Sequence, residues 1–187
     1  MAKVFSDFEI DKIGIKFEGK TAYEVMECVG SCEEELESKV VTKSCRGVVV
    51  KKIVKGTGNG TLKITAHIPW AIYTEFYGMT LTTLLEGVKA YGRNSKHTPF
   101  SVTMHVTDED GNEKYKAYPN CVIESGITRK VENGAEEVAE LEIEASVLPD
   151  TYGNGLYEAL DEELTDTTAK STWLTAFTPD LVQVKSA

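Results

Sequence analysis

The side chains of this sequence that could most readily take part in catalysis are glutamates that recur at every second position. Residues 140–147 alternate glutamate with apolar or small residues, so a β-strand would point Glu140, Glu142 and Glu144 to one side. Neighbouring carboxylates would then stand about 6.7 Å apart, within the range of the acid pairs in glycoside hydrolases. Three carboxylates in a row repel one another, which favours a solvated strand face or an anionic surface over catalysis.

A second acidic stripe has the same spacing. Glu33, Glu35 and Glu37 alternate along another predicted strand, over residues 33–43. Two stripes of this kind could line a surface past which an anionic polymer slides.

Other side chains that often do chemistry give no recognisable motif. His67, His97 and His105 each stand alone, without the His-x-x-x-His spacing of a metal site. The chain also lacks the Gly-x-Ser-x-Gly segment that presents a nucleophilic serine. A catalytic triad is defined by geometry, so one could still form in space. The sequence predicts no catalytic residue, no metal, no cofactor and no enzyme activity.

The four cysteines predict inert thiols. Cys28 and Cys32 form at most one ligand pair, whereas a zinc site usually needs two. The N-terminus lacks the apolar stretch of a signal peptide, and no run approaches the roughly 20 residues of a membrane span. We therefore expect a protein that is kept in the cytoplasm, where cysteines stay reduced, or that leaves without a signal.

The net charge of −10 is concentrated in one part of the chain. Residues 108–164 hold 16 acidic and 4 basic side chains, and the rest sums to +2. This distribution argues against a protein that wraps nucleic acid by neutralising phosphates, because such a protein needs a basic patch. The acidic segment either keeps the protein soluble or repels an anionic partner.

Most of the chain reads as strands joined by hairpin turns. The predicted pairs are residues 47–55 with 61–68, 100–107 with 113–118, and 127–132 with 136–148. The glycine-rich run at 56–60 predicts the tip of the first pair, since Thr61 breaks the Gly-x-Gly-x-x-Gly pattern of a nucleotide loop. A strand is also predicted over residues 88–91.

Helices are fewer in this pattern. Pro69 predicts a helix start, and the spacing of Leu156, Leu160 and Leu164 predicts another helix. A further turn or two of helix is expected around Trp173. We therefore predict a mainly β (α+β) fold, a β-sandwich or barrel with a flanking helix and long hairpins or arms. Residues 1–187 form one domain in this interpretation, with arms at 1–15 and 178–187.

Ordered short segments over most of the chain give a resemblance to a known family. They are Val88-Lys89-Ala90-Tyr91-Gly92, residues 107–114, residues 117–122, residues 129–134, a glutamate-rich strand ending at Asp150, and Gly153-Asn154-Gly155. Together they resemble the major tail proteins, or tail-tube proteins, of long-tailed, non-contractile bacteriophages that infect Gram-positive bacteria. The resemblance spans roughly residues 14–183 and is clearest after Val88.

The resemblance implies a structural role in the virion tail. Such proteins have a β-sandwich with a flanking helix and form hexameric rings that stack into a tube around a tape-measure protein. The tube, assembled in the host cytoplasm, meets tail-tip and terminator proteins and conducts DNA without binding it specifically. The implied subunit contacts are loops, arms and strand edges, and here we expect a hairpin made by Lys55, Gly56, Thr57, Gly58, Asn59 and Gly60. One or both glutamate stripes would line the lumen.

Three alternatives stay open at this point. A carbohydrate- or ligand-binding β-sandwich would need an exposed aromatic platform, for which the candidates are Tyr115, Tyr118, Tyr152 and Tyr157. A hydrolase could use the paired carboxylates. Terminator and tip proteins of phage tails share similar folds, and fold alone does not separate them from the main tube protein.

Overall fold

The computed structural model of the protein describes residues 4–79, 83–131, 133–134 and 138–184. The strands in these ranges are β1 (Glu9–Phe17), β2 (Glu24–Met26), β3 (Val29–Cys45), β4 (Val48–Ala66), β5 (Phe100–Thr107), β6 (Glu113–Ile123), β7 (Leu141–Val147) and β8 (Tyr157–Leu160). The helices are α1 (Trp70–Phe76), α2 (Thr167–Ala176) and a final 3₁₀ turn, Pro179–Val182.

All eight strands belong to one antiparallel sheet. Its order is β2-β1-β5-β6-β7-β4-β3, and β8 pairs with β6 beside this path. The sheet curls enough that β1 and the start of β3 approach each other. The prediction of a mainly β, sandwich-like fold with a flanking helix is confirmed.

Alternation along the strands builds the main core. Ile13, Ile15 and Phe17 of β1 are almost wholly buried, while the residues between them face the other side. The same alternation buries the inward side chains of β4, β5 and β7, among them Leu62, Ile64, Val102, Met104, Ile143 and Val147. Burying a side chain of this size contributes about 1.5–3 kcal/mol, so the alternating pattern fixes which face turns inward.

Helix α1 covers one part of this core. It follows Pro69, as predicted, and ends before Gly78, whose φ of 56° suits glycine. Tyr73 and Phe76 are buried, but Trp70 stays half exposed and stacks on Tyr73 with ring centroids 6.0 Å apart.

Helix α2 packs on the outer face of the sheet and is the flanking helix. Asp166 caps its first turn by accepting hydrogen bonds from the backbone N–H groups of Thr168 and Ala169. Trp173 is buried against Tyr23 and Tyr115, and its Nε1 donates to the Lys116 carbonyl over 3.0 Å. The helix is therefore both packed and hydrogen-bonded to the sheet.

The helix predicted from Leu156, Leu160 and Leu164 is wrong, because these residues surround strand β8 instead. Leu156 packs against the main core, while Leu164 packs against the cluster under α2. Leu156 and Leu164 thus pack on different sides of the sheet, and Leu160 ends strand β8, so the three form no helical stripe. Pairing of β8 with β6 overrides their helical spacing.

Two predicted strands are also absent from the described residues. Residues 127–131 form no strand, so the hairpin through Asn133-Gly134 is wrong, and Glu132 and residues 135–137 lie outside the described part. Strand β7 begins only at Leu141 and pairs with β4 and β6 instead. Residues 88–91 likewise form no strand.

Gly14 lets α2 approach the sheet, which gives a stability prediction. A Cβ at Gly14 would lie 2.5 Å from the Thr103 Oγ1 and 2.7 Å from the Leu174 carbonyl oxygen. We expect Gly14→Ala to lower the free energy of unfolding by about 1–3 kcal/mol, because α2 must shift outward. Gly92→Ala is the matched control, since a Cβ there meets nothing within 4 Å. Equal urea midpoints for the two variants would contradict this account of the packing.

Candidate assembly surfaces

The longest hairpin of the fold projects from the body of the protein. Strands β3 and β4 pair from Val29↔Ala66 to Cys45↔Val48, but β7 accompanies β4 only between Gly60 and Ala66. We call the projecting part, residues 37–56, the arm. At about 3.3 Å per residue it extends about 30 Å, and every residue in it is exposed.

The turn of this hairpin lies at Arg46-Gly47, not at the glycine-rich run. Arg46 and Gly47 have φ values of 51° and 80°, as a two-residue hairpin turn of type I′ requires. The predicted tip at 56–60 is therefore wrong. Whether Lys55, Gly56, Thr57, Gly58, Asn59 and Gly60 contact another subunit stays a prediction.

The glycine-rich run forms a bulge where the arm leaves the body. Leu36 pairs with Gly60 and Ser38 with Gly56, so Glu37 alone faces the three residues between them. The Thr57 hydroxyl donates to the Glu37 carbonyl over 3.3 Å. Pairing on both sides of the run outweighs its turn propensity.

A second glycine-rich segment, Gly153-Asn154-Gly155, packs against this bulge. A Cβ at Gly58 would lie 2.7 Å from the Gly153 carbonyl oxygen, and a Cβ at Gly155 would overlap the Gly58 carbonyl. The backbones of the two segments therefore touch directly. This contact fixes the direction in which the arm leaves the sheet.

The arm is basic and apolar, whereas the rest of the chain is acidic. Residues 37–56 hold six basic side chains and one acidic side chain, a net charge of +5, which leaves −15 for the remainder. Its exposed aliphatic residues range from 37% exposed (Ile53) to 65% exposed (Val48). They are Val40, Val41, Val48, Val49, Val50, Ile53 and Val54.

Strand pairing sorts the arm into two faces. The directly opposed pairs Lys39↔Lys55, Val41↔Ile53 and Lys43↔Lys51 share one face, which we call the lysine face. These four lysines form no ion pair with any carboxylate in the described ranges. The lysine face therefore has an apolar centre, Val41 and Ile53, between two pairs of lysines. Such a face suits a partner surface that is acidic and apolar.

The structure brings the two predicted glutamate stripes onto one face of the sheet. Opposite Lys63 of β4 stand Glu33 on one side and Glu144 on the other. Glu35 and Glu142 point to the same outward side. Glu35 lies opposite Thr61 and Glu142 opposite Thr65, the residues two before and two after Lys63 on β4. We call Glu33, Glu35, Glu142 and Glu144 the acidic face.

One lysine interrupts the acidic face. Lys63 Nζ lies 3.2 Å from a carboxylate oxygen of Glu142, and this hydrogen bond raises the pKa of Lys63, with help from the charges of Glu142, Glu33 and Glu144. The face thus keeps a net negative charge.

The remaining two predicted glutamates lie apart from this face. Glu140 precedes β7, with its carboxylate over Gly30. Glu37 lies at the bulge in the arm.

Lys116, a buried lysine at the edge of the core, was not predicted from the sequence. Lys116 Nζ contacts Asp7 at 2.8 Å and Glu34 at 2.7 Å, and the Tyr118 hydroxyl donates to Glu34. Burial alone would lower the pKa of Lys116, but its bonds to Asp7 and Glu34 raise it above the ordinary value. The cluster ties the N-terminal segment to β3 and β6.

The same cluster acts on Asp7. Burial would raise the pKa of its carboxyl, but hydrogen bonds from Lys114 and Lys116 outweigh burial and lower it. Asp7 therefore stays a carboxylate and anchors the segment ahead of β1.

The tyrosines proposed as a carbohydrate platform do not form one. Tyr115 is buried between His105 and Trp173, and Tyr118 is wholly buried. Tyr157 is half-buried against Phe177, which leaves Tyr152 as the single exposed member of this set. Its hydroxyl donates to Asp180 over 2.6 Å.

The described residues contain no set of three or more His, Cys, Asp or Glu side chains that could hold a metal ion. His97 and His105 instead contact the Ile123 carbonyl and Asp11, respectively. Burial raises the pKa of the Cys32 thiol to about 12. No helix in the described ranges has the length and apolar character to span a membrane.

Comparisons with known proteins find matches among solved structures alone. No family model matches the chain, and no curated protein matches it. A chain in the cryo-EM structure of the anti-feeding prophage (AFP) baseplate, 6-fold symmetrised, aligns with a TM-score of 0.43 and 11% identity. The alignment covers 78% of this chain and 92% of that chain.

Proposed function

We propose that this protein is a structural subunit of a bacteriophage tail or tail-like particle, and that it works by assembling with copies of itself. In its specific form, the proposal is that hexameric rings stack into a tail tube that conducts DNA. The observation that supports it most is the arm, an exposed basic and apolar hairpin on an acidic body. The segment resemblance to major tail proteins supports the choice of particle.

The arm makes physical sense as part of an assembly. A two-stranded ribbon is marginally stable alone in water, and its two free edges can pair with other strands. Seven exposed aliphatic side chains on such a ribbon favour association with another protein surface. A partner that covers them gains hydrophobic burial and backbone pairing together.

A single arm on each subunit favours a head-to-tail contact. Such a contact uses different surfaces on the two copies, and it closes into a ring when the rotation between copies closes. Rings in contact with rings then give a filament. The partners of this filament would be copies of the chain, a tape-measure protein inside, and tip and terminator proteins at its ends.

The acidic face fits the wall of a channel for DNA. Its carboxylates repel phosphates, and at a Debye length of about 8 Å that repulsion acts only near the wall. DNA would therefore avoid sticking to the wall without being excluded from the channel. In this proposal Glu33, Glu35, Glu142 and Glu144 face the lumen.

A terminator or tip protein of the same fold is the second candidate. It too would present one arm to a neighbour, but it would stop at a single ring. Negative-stain electron microscopy of the concentrated protein separates these roles, because the main tube protein forms stacked rings and a terminator forms rings that do not stack.

A further inference from the structure

A groove of about 620 Å³ lies between β1 and the start of β3. Strand β1 pairs with β2 only from Ile13 to Ile15, so the edge of residues 9–12 on that side is free. Strand β3 is the last strand of the described sheet, and its outer edge is free as well. Two unpaired strand edges therefore border the same groove, and their free backbone groups are available to a partner that lies across it.

The groove combines an apolar floor with an acidic rim. Met104 and Val106 are buried at its base. Five carboxylates line it, and Lys116 is its one basic side chain; the five are Asp7, Glu9, Asp11, Glu27 and Glu34. Lys116 is matched by Asp7 and Glu34, while Lys12 and Lys114 also pair with rim carboxylates. Five carboxylates against three lysines leave the rim with a net negative charge.

We propose that this groove receives the arm of a second copy of the chain, with the lysine face turned inward. The inference rests on the proposed self-assembly and names the surface that it uses. The apolar pair Val41↔Ile53 would lie over the floor, and the four lysines around it would meet the rim carboxylates. The basic arm and the acidic rim would be complementary in charge, and the apolar pair would meet the apolar floor.

The arm of the same copy cannot fill this groove. Residues 29–32 and Glu34 of β3 line it, and the arm continues the same strand away from it. An arm of about 30 Å would have to fold back on itself to return. Each copy therefore offers one arm and one groove to two different neighbours, which is the head-to-tail contact that propagates.

Two charge-reversed variants test this pairing by sedimentation velocity. The groove variant is Glu9→Lys with Glu27→Lys, and the arm variant is Lys39→Glu with Lys55→Glu. We expect each alone to need at least about tenfold more protein to assemble than the unmodified chain. The groove variant sets positive charge against the lysine face, and the arm variant removes the net positive charge of that face. In an equimolar mixture, unmodified arms meet unmodified grooves, and the introduced glutamates meet the introduced lysines, so the mixture should assemble.

The matched control is Glu109→Lys with Asp110→Lys, which makes the same charge change at the exposed β5–β6 turn. It should assemble like the unmodified chain. If the arm variant fails while the groove variant assembles normally, or if the mixture stays unassembled, the groove is not the receptor for the arm. If the unmodified chain itself never assembles, the proposed function fails instead.

Discussion

Removal of the arm is expected to leave a folded monomer that does not assemble at any concentration tested. The variant joins Ser38 to Gly56, a directly opposed pair, through a two-residue Asn-Gly turn that replaces residues 39–55. The core is unaffected because every residue removed is exposed. We expect the melting temperature to stay within about 4 °C of the unmodified value, roughly 1 kcal/mol for a chain of this size.

Arg46→Asn is the matched control for the arm deletion. It keeps the whole arm and places at its tip the Asn-Gly pair that type I′ turns prefer. This variant should assemble like the unmodified chain in sedimentation velocity. Normal assembly of the shortened variant would show that the arm is dispensable, and the proposed mechanism would then be wrong.

Charge reversal of the predicted glutamate stripe should separate assembly from DNA delivery. In Glu142→Lys with Glu144→Lys, the two stripe members on the acidic face, a repelling wall becomes one that binds phosphates. We expect tubes of normal appearance but a fall of at least about tenfold in the titre of particles built from this variant, because several phosphate contacts hold DNA strongly. The loss of the exposed Lys63–Glu142 pair should have little effect on stability, because water screens ion pairs at the surface.

The control for this experiment is the Glu109→Lys, Asp110→Lys variant, which adds positive charge outside the acidic face. Its particles should keep a normal titre. If the stripe variant also gives a normal titre, the acidic face does not line the channel. If the stripe variant fails to form tubes, these glutamates take part in assembly instead.

Local alternation was enough to predict the inward and outward sides of β7. Ile143, Ala145 and Val147 are buried as expected, and Glu142 and Glu144 point outward. Side-chain direction in a strand follows from the backbone alone, so it needs no knowledge of the partner strands. The position of the two stripes on one face could not be predicted, since it depends on β4 lying between β3 and β7.

The glycine-rich run shows where local reasoning fails. Its composition predicts a turn, but pairing continues on both sides of it and the chain turns at Arg46-Gly47. The buried Lys116 was missed for a related reason, since its partners Asp7 and Glu34 are distant in sequence. The available signal was the two-residue spacing of Lys116 from Tyr118, which places the lysine on the core side of the strand.

Negative-stain electron microscopy of the concentrated, unmodified protein tests self-assembly most directly. Self-assembly through arm and groove predicts sixfold rings and hollow tubes of stacked rings, which become rarer as salt screens the contact between basic arms and acidic grooves. Single particles of one 20.6 kDa chain at every concentration and salt level would contradict it.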